Sequence, residues 1–212
     1  MVRLFCIFWV AIFAKLFYRH KVYGKEHVPR SSAIIASNHC SFLDPPLIGI
    51  SSPIEVHFLA RATLFKRPAF AWLIRQLNTH PVAPGKENVQ TFRMITKLIA
   101  KGERVVLFPE GRRSQTGELL KGQLGIGMLV MRSKAVVVPT YTHGTFPIWS
   151  RGRRFPKLFG QRTAVVFGTP LDFSNIDLQD KKKSQQEIAE TIMETIGNLK
   201  SWYLAGAKGT PP

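Results

Sequence analysis

A histidine and an aspartate separated by four residues form the first pair of side chains in this sequence that suits acid–base chemistry. His39 and Asp44 lie in the segment Asn-His-Cys-Ser-Phe-Leu-Asp-Pro-Pro, directly after a short apolar run. A neutral histidine can take a proton from an alcohol because its pKa lies near physiological pH, and a carboxylate bonded to its other ring nitrogen would fix the tautomer. We expect a turn between them, since a regular helix would separate the two side chains by about 140° and the prolines disfavour a helix at Asp44. The alternative is a strand-end histidine that only caps a turn.

A second segment, Phe-Pro-Glu-Gly-Arg-Arg-Ser at residues 108–114, has the composition of an anion-binding turn. Pro-Glu-Gly predicts a sharp turn that brings the backbone close to a ligand. Arg113 offers a planar fork of donors that suits a phosphate, and Ser114 with nearby backbone N–H groups would complete the cradle. Taken alone, the segment is equally well explained as a surface turn with a capping serine.

Both segments follow short apolar runs that alternate with helical patterns along the chain. The runs predict strands at residues 32–37, 54–60, 104–108, 135–139 and 162–168. Helical spacing predicts a helix over 88–101 that ends at Gly102, and a capping box from Ser184 to Glu187 opens a last helix. This alternation predicts a single α/β domain with a mixed, largely parallel sheet flanked by helices. Catalytic groups gather at the carboxyl ends of strands in such sheets, where both segments fall.

The N-terminus begins with an apolar run of 11 residues at 4–14, flanked by basic residues. As a helix it would be about 16 Å long, which is too short for a hydrocarbon core of about 30 Å. We therefore predict that residues 1–22 form a membrane-associated helix lying in one leaflet, followed by the main domain over 23–205 and a frayed tail over 206–212. A buried core helix and an uncleaved signal anchor are the alternatives.

The chain of 212 residues carries 30 Lys and Arg against 13 Asp and Glu, which gives a formal net charge of +17. No acidic residue lies between Leu119 and Leu171, so the excess includes a basic patch. Such a charge predicts an anionic partner: nucleic acid, an acidic lipid surface or an acidic protein. The aromatic residues are packed in apolar runs rather than interleaved with Lys and Arg, which argues against nucleic acid. Two cysteines are too few for a disulfide framework, and their spacing matches no zinc pattern.

Together with two further blocks, the candidate segments resemble the glycerolipid acyltransferases of the 1-acylglycerol-3-phosphate acyltransferase type. The four blocks occur in the family's order: Asn38-His39-x4-Asp44; residues 58–68 with Pro81-Val82; Phe108 to Ser114; and Val138-Pro139 followed by Gly144. The first and third blocks at this spacing are highly specific. The resemblance covers about residues 20 to 170.

The resemblance implies an acyl transfer that needs neither a cofactor nor a metal ion. His39 would deprotonate the free hydroxyl of a lysophosphatidic acid, whose oxygen would attack the thioester of acyl-CoA or acyl carrier protein and yield phosphatidic acid. Asp44 would orient His39. The residues implied to hold the glycerol phosphate, or to lie beside it, are Glu110, Gly111, Arg113 and Ser114. No acyl-enzyme is implied, and a thiol nucleophile at Cys40 is the minor alternative.

One departure from the family pattern concerns the phosphate of the acceptor. The family's second block ends in an arginine after Pro-Val, whereas Pro84 stands at this position here. Either Lys86 supplies the missing charge, or Arg61 and Arg113 suffice. An acyltransferase for a different lysolipid or an amino-lipid is therefore the alternative function. The resemblance also predicts contact with membrane lipids at the cytoplasmic face of the inner (plasma) membrane.

Overall fold

A seven-stranded sheet lies at the centre of the computed structural model, which describes residues 2–82, 87–176 and 179–212. Its strands are β1 (Lys21–Tyr23), β2 (Ala33–Ser37), β3 (Val56–Arg61), β4 (Thr79–Val82), β5 (Arg104–Leu107), β6 (Val136–His143) and β7 (Ala164–Phe167). They are ordered β1-β7-β6-β2-β5-β3-β4, and every neighbouring pair is parallel except β6 and β7. The predicted α/β fold with a mixed, largely parallel sheet is confirmed.

Helices flank this sheet. Within the described residues they are α1 (Val2–Tyr18), α2 (Asp44–Ser51), α3 (Pro68–Gln76), α4 (Glu87–Ala100), α5 (Leu124–Ser133), α6 (Phe146–Trp149) and α7 (Lys181–Leu204), with 3-10 turns at Lys25–His27 and Ala62–Lys66. Helix α4 coincides with the predicted segment 88–101 to within one residue at each end.

The central strands are buried on both faces because alternate residues point to opposite sides of the sheet. On one face, Ile34 and Val137 pack in a cluster that includes the buried side of α7. On the other face, Ile35 and Val138 pack with residues of α1 and α2. A one-residue slip would exchange the two faces, so this packing fixes the register of β2 and β6 and the positions of the loops that follow them.

The sequence pattern does not predict β1 and β4. These strands are three and four residues long, and they lie at the two edges of the sheet. Strand β4 also contains Pro81, and proline is tolerated where a strand pairs on one side only. Such short segments lack the apolar run that identifies the five predicted strands.

Helix α2 begins at Asp44 itself, although the sequence predicts that the following prolines disfavour a helix there. Pro45 and Pro46 fall in the first turn, where a missing N–H removes no helical hydrogen bond. The predicted turn between His39 and Asp44 is present, because residues 41–43 lie outside the helix in turn and bend conformations.

Helix α7 begins at Lys181 rather than at the capping box of Ser184. The Asp180 carboxylate accepts hydrogen bonds from the backbone N–H groups of Lys182 and Lys183 at 3.1 and 3.0 Å. Aspartate is a strong N-cap, and the N-cap at Asp180 lies four residues before the serine that the sequence indicates.

The tail over 206–212 is bound to the domain, which corrects the prediction that it frays. The Trp202 indole N–H donates to the Lys208 carbonyl at 3.0 Å, and the Thr169 N–H donates to the Pro212 carbonyl at 2.9 Å. Pro211 is buried. The acceptors are backbone carbonyls, so the side-chain pattern of the tail carries no signal for these contacts.

Helix α1 is buried only in part. Ala14 and Tyr18 near its C-terminal end are buried, whereas Leu4, Phe5 and Leu16 are 69%, 65% and 72% exposed. Among the described helices, none combines the length and the apolar character needed to span a bilayer. The association of α1 with a membrane surface stays a prediction, and these exposed apolar side chains support it.

Candidate active site

The two segments predicted from sequence meet at one edge of the sheet. Strands β2 and β5 are parallel neighbours with Ala36 opposite Leu107, so the loops that follow them start side by side. The His39 N–H donates to Glu110 Oε1 at 3.0 Å, and the Ser114 N–H donates to the His39 carbonyl at 2.8 Å. The two loops therefore form one structural unit around the histidine.

The His39 ring is fixed by a buried carboxylate. His39 Nδ1 lies 2.8 Å from Asp44 Oδ2, and Asp44 is fully buried. The same oxygen accepts hydrogen bonds from the Cys40 and Ser41 N–H groups at 2.8 Å, while Oδ1 accepts from the Thr145 hydroxyl at 2.6 Å. A carboxylate held in this way keeps a proton on Nδ1 and leaves Nε2 as the basic nitrogen.

Aromatic packing holds the other side of the same ring. The His39 and Phe108 rings are stacked with centroids 3.9 Å apart and an interplanar angle of 18°. The His39 side chain stays 18% exposed, so it is accessible from the edge of the sheet. Stacking and the carboxylate together leave the imidazole one orientation, as a positioned base requires.

Two residues of the family blocks, Asn38 and Gly144, complete this geometry in roles that the sequence alone does not assign. The Asn38 side chain joins β2 to β6, since its Oδ1 accepts from the Thr142 N–H at 2.7 Å and its Nδ2 donates to the Thr142 carbonyl at 3.1 Å. Gly144 has a φ of +74°, and a Cβ there would lie 1.9 Å from the Arg162 carbonyl oxygen. This glycine turn lets Thr145 reach Asp44.

Glu110 is a buried acid beside the histidine. Burial raises its pKa to about 7, while the backbone N–H groups of His39 and Leu120 act in the opposite direction and Asp44 adds a smaller upward effect. The carboxyl group is therefore about half protonated at neutral pH. In the structure its Oε1 holds the His39 backbone, which places the acid between the histidine and the turn at Gly111.

The turn itself depends on Gly111, whose φ of +68° lies in the left-handed region and whose N–H donates to the Phe108 carbonyl at 3.0 Å. Ser114 is buried, and its hydroxyl accepts from the Gly117 N–H at 3.1 Å. Both residues thus shape the loop that carries Arg113.

Arg113 forms no ion pair with the other described residues, although the Asp44 carboxylate acts on it from a distance. Its guanidinium carbon lies 3.7 Å from the centre of the Phe42 ring, and its buried Nη1 has no hydrogen-bond partner in the part of the chain that the structure describes. Burial lowers the Arg113 pKa, and the positive charges of Arg151 and Arg61 lower it further. Arg61 and Arg151 therefore lie near enough to Arg113 for their charges to act on it, and such a group of guanidiniums favours an anionic ligand.

Arg61 stands at the end of β3, and its positive charge acts on Arg113. Its role in holding a phosphate stays a prediction. Arg151 is the member that sequence reasoning missed, because it is one of several cations in the acid-free stretch and nothing in its neighbours singles it out. Its position follows from Trp149, whose carbonyl accepts from the Ser41 hydroxyl at 2.9 Å and from the Phe42 N–H at 3.1 Å. Pro84 and Lys86 lie outside the described residues.

Cys40 is poorly suited to act as a nucleophile. Its thiol is buried and lies 3.3 Å from the Thr145 hydroxyl. Burial raises the Cys40 pKa to about 12, and the nearby Asp44 carboxylate raises it as well. The thiolate that nucleophilic chemistry needs is therefore scarce at neutral pH, which argues against the minor alternative.

Fold and site together define a class: an α/β protein in which a histidine–aspartate pair lies next to several arginines at one edge of the sheet. The family model described as Acyltransferase matches residues 19–143, and the chain belongs to this acyltransferase family. The predicted family resemblance is thereby confirmed.

Individual relatives agree with this assignment. The chain is 26% identical over 184 residues to a 1-acyl-sn-glycerol-3-phosphate acyltransferase of Bacillus subtilis, covering 84% of this chain and 88% of the relative. It is 27% identical over 188 residues to a chloroplastic enzyme of the same name from Arabidopsis thaliana, covering 87% of this chain but only about half (52%) of the relative. The crystal structure of the 1-acyl-sn-glycerophosphate acyltransferase PlsC from Thermotoga maritima superposes with a TM-score of 0.71 at 25% identity, over 92% of this chain and 81% of that one.

Proposed function

We propose that this protein transfers an acyl group from acyl-CoA or acyl carrier protein to the free hydroxyl of 1-acyl-sn-glycerol-3-phosphate and forms phosphatidic acid. The observation that carries the proposal is the His39–Asp44 hydrogen bond beside a group of arginines that form no ion pair within the described residues. The names of the Bacillus and Arabidopsis relatives support the acceptor.

In this reaction His39 acts as a general base and then as a general acid. Nε2 takes the proton of the acceptor hydroxyl as its oxygen attacks the thioester carbonyl, and Asp44 stabilises the imidazolium. Collapse of the tetrahedral intermediate breaks the carbon–sulfur bond and forms the ester. The proton on His39 then passes to the departing sulfur, so the products are the acylated lipid and a free thiol.

The arginine cluster holds the acceptor phosphate in this proposal. Arg113 approaches from the loop after β5, Arg61 from the end of β3, and Arg151 from the loop after α6. Arg151 thereby supplies the charge that the family pattern expects where Pro84 stands, with Lys86 as a further contributor.

Glu110, Gly111 and Ser114 form the wall of this phosphate site. A protonated Glu110 does not repel a phosphate and can donate a hydrogen bond to it, whereas an ionised Glu110 would repel it. The raised pKa of Glu110 therefore suits a role beside an anionic substrate.

The proposed location is the cytoplasmic face of the inner (plasma) membrane. The exposed apolar side chains of α1 would enter the lipid interface, and the basic excess of the chain would face anionic headgroups. Acyl-CoA or acyl carrier protein, both anionic, would approach from the aqueous side.

The test is a thiol-release assay with purified protein. Acyl-CoA and acyl carrier protein are each offered with lysophosphatidic acid, with other lysolipids and with an amino-lipid. We expect lysophosphatidic acid to be preferred, and His39→Ala to lower turnover by about 10²- to 10⁴-fold. Cys40→Ala is the matched control, and its turnover should stay within about threefold of native.

Two outcomes would contradict the proposal in different ways. Near-normal turnover of the His39→Ala protein would contradict the role of His39 as the general base. A strong preference for another lysolipid or an amino-lipid would retain the mechanism and replace the acceptor, as the proline at position 84 allows.

A further inference from the structure

We propose that a basic cavity at the corner formed by α1, β1, β7 and α7 binds the phosphate of an anionic phospholipid headgroup, at a site separate from the reaction site. The cavity has a volume of about 260 Å³ and is lined by Arg19, Lys21, Tyr23, Arg162, Thr163 and Tyr203. The acyl transfer proposed above uses none of these residues.

The cations of this cavity have no acidic partner in the part of the chain that the structure describes. Within the described ranges, the side chains of Arg19, Lys21 and Arg162 form no ion pair and no hydrogen bond, and no acidic residue lines the cavity. Burial raises the pKa of Tyr203, so its hydroxyl stays protonated and can donate at neutral pH. Guanidinium, ammonium and hydroxyl donors directed at one space are the groups that bind a phosphate.

The backbone holds these side chains in place. Arg19 adopts a left-handed φ of 44°, which is unusual for a residue other than glycine. On either side of it, the Thr163 N–H donates to the Tyr18 carbonyl at 3.0 Å and the Lys21 N–H donates to the Thr163 carbonyl at 3.0 Å. The intervening His20 ring lies 2.9 Å from the Thr163 hydroxyl. The cavity is therefore built on a fixed turn between α1 and β1.

Apolar side chains beside the cavity favour a lipid over a soluble phosphate. The rings of Phe17 and Phe159 are in contact with centroids 5.3 Å apart, and they lie two and three residues along the chain from Arg19 and Arg162. Phe159 and the neighbouring Leu16 are 65% and 72% exposed. A phospholipid presents its phosphate at the boundary of its apolar chains, so it would contact both groups of residues at once.

The cavity lies on the same edge of the sheet as the reaction site. Lys21 of β1 is opposite Ala164 of β7, and Ala164 is opposite His143 at the C-terminal end of β6. Strand β6 in turn lies beside β2, which precedes His39. The distance from β1 to β2 is three strand spacings, or about 14 Å. A headgroup bound in the cavity would hold the lipid surface beside the histidine.

The test compares two triple variants that remove the same charge. The cavity variant carries Arg19→Gln, Lys21→Gln and Arg162→Gln. The control variant carries Lys181→Gln, Lys182→Gln and Lys183→Gln, at the opposite end of α7 from Tyr203. The two ends are about 33 Å apart along the helix axis.

Binding is measured by sedimentation with phosphatidylcholine vesicles prepared with and without phosphatidylglycerol. We expect the cavity variant to bind the phosphatidylglycerol vesicles about 100-fold more weakly than native protein. The control variant should stay within about threefold of native, since exposed charges far from the surface are screened. Equal weakening of the two variants would overturn the proposal, because general attraction of a basic protein would then explain the binding.

Soluble phosphates distinguish the source of the ligand. Inorganic phosphate and adenosine 3′,5′-bisphosphate, the phosphate-bearing part of CoA, are titrated by calorimetry into native and cavity-variant protein. Weak binding of both supports a lipid headgroup. Tight binding of either one that the cavity variant loses, together with unchanged vesicle binding, would overturn the lipid assignment.

Two further measurements keep this result separate from folding and from catalysis. The double variant with Lys21→Gln and Arg162→Gln leaves the Arg19 turn intact, so we expect it to unfold at the same temperature as native protein. This folded variant should bind the phosphatidylglycerol vesicles about 30-fold more weakly than native protein. The His39→Ala protein should bind vesicles as native protein does. The cavity variant should in turn keep native turnover in detergent micelles, so the failure of either proposal can be told from the failure of the other.

Discussion

The two halves of the reaction site differ in how far their polar atoms are satisfied. In the histidine half, formed by His39, Asp44 and Thr145, the buried carboxylate takes part in four hydrogen bonds. In the arginine half, formed by Arg61, Arg113 and Arg151, the charges repel one another and a buried nitrogen of Arg113 has no partner in the described chain. The fold therefore orients His39 in advance, whereas under the proposed function a ligand would complete the arginine half.

The same difference affects the free energy of substrate binding. A buried donor without a partner costs about 1–3 kcal/mol, and a phosphate that accepts from it removes this cost on binding. The histidine half gains nothing comparable from the substrate, because its hydrogen bonds already exist. Substitutions in the histidine half should therefore act on kcat, and substitutions in the arginine half on the KM for the acceptor.

The largest effect is expected for Asp44→Asn, which breaks the prearranged half. Asp44 Oδ2 faces the Cys40 N–H, the Ser41 N–H and His39 Nδ1, whereas Oδ1 faces the Thr145 hydroxyl. A neutral amide could keep its oxygen toward the first three groups only by turning its NH2 toward Thr145, and it would carry no charge to stabilise the imidazolium. We expect kcat in the thiol-release assay to fall by about 10³- to 10⁴-fold. Thermal unfolding followed by circular dichroism controls for the fold. A loss of less than tenfold in a folded variant would contradict the assigned role.

Glu110→Gln tests the acid that connects the two halves. The folded protein holds the Glu110 proton up to a pKa of about 7, whereas the unfolded chain releases it near 4.5. Between pH 4.5 and 7 the unfolded state binds fewer protons at this group than the folded state does. The free energy of unfolding of native protein therefore falls as the pH rises through this interval, by up to about 3 kcal/mol in total, and this group causes no further fall above pH 7. The free energy of unfolding of Glu110→Gln, taken relative to that of native protein, should therefore increase as the pH rises from 4.5 to 7. Denaturant unfolding at several pH values measures it, with the exposed Glu187→Gln as control, and a constant difference would show that Glu110 titrates normally.

Arg113→Gln breaks the arginine half. Hydrogen bonds to charged groups contribute about 1.5–3 kcal/mol, so the KM for the acceptor should rise by about 10- to 100-fold while kcat changes less. The adjacent Arg112 is exposed, and Arg112→Gln is the matched control that should leave KM within about twofold. Equal KM increases in both variants would mean that total charge, rather than the cluster, binds the acceptor.

Arg151→Gln is expected to change the KM for the acceptor less than Arg113→Gln does. Arg151 is exposed, so its charge acts through water more than that of Arg113. We expect the KM for lysophosphatidic acid to rise by about 3- to 10-fold, and we expect Arg153→Gln on the same loop to have no comparable effect. An unchanged KM for Arg151→Gln would remove this residue from the phosphate site.

Residues that directly follow a recognisable strand in the sequence could be predicted. His39, Asp44 and the 108–114 segment follow strands that are visible as apolar runs, and the parallel pairing of β2 with β5 brings them together. The contributions of Thr145 and Arg151 could not be predicted, because they depend on contacts with residues about a hundred positions away. The same limit applies to β1 and β4, whose few residues form strands only because neighbouring strands offer them pairing partners.

Asp44 is also the first residue of α2, so the residue that contacts His39 lies in the first turn of a helix. The catalytic geometry therefore lasts only as long as the first turn of α2 is formed. Local opening of a helix end needs less free energy than global unfolding. On heating, activity should therefore be lost at the temperature at which the amide hydrogens of α2 begin to exchange, and this temperature should lie below that at which the sheet unfolds. Local unfolding of this short helix would then limit the thermal stability of the activity.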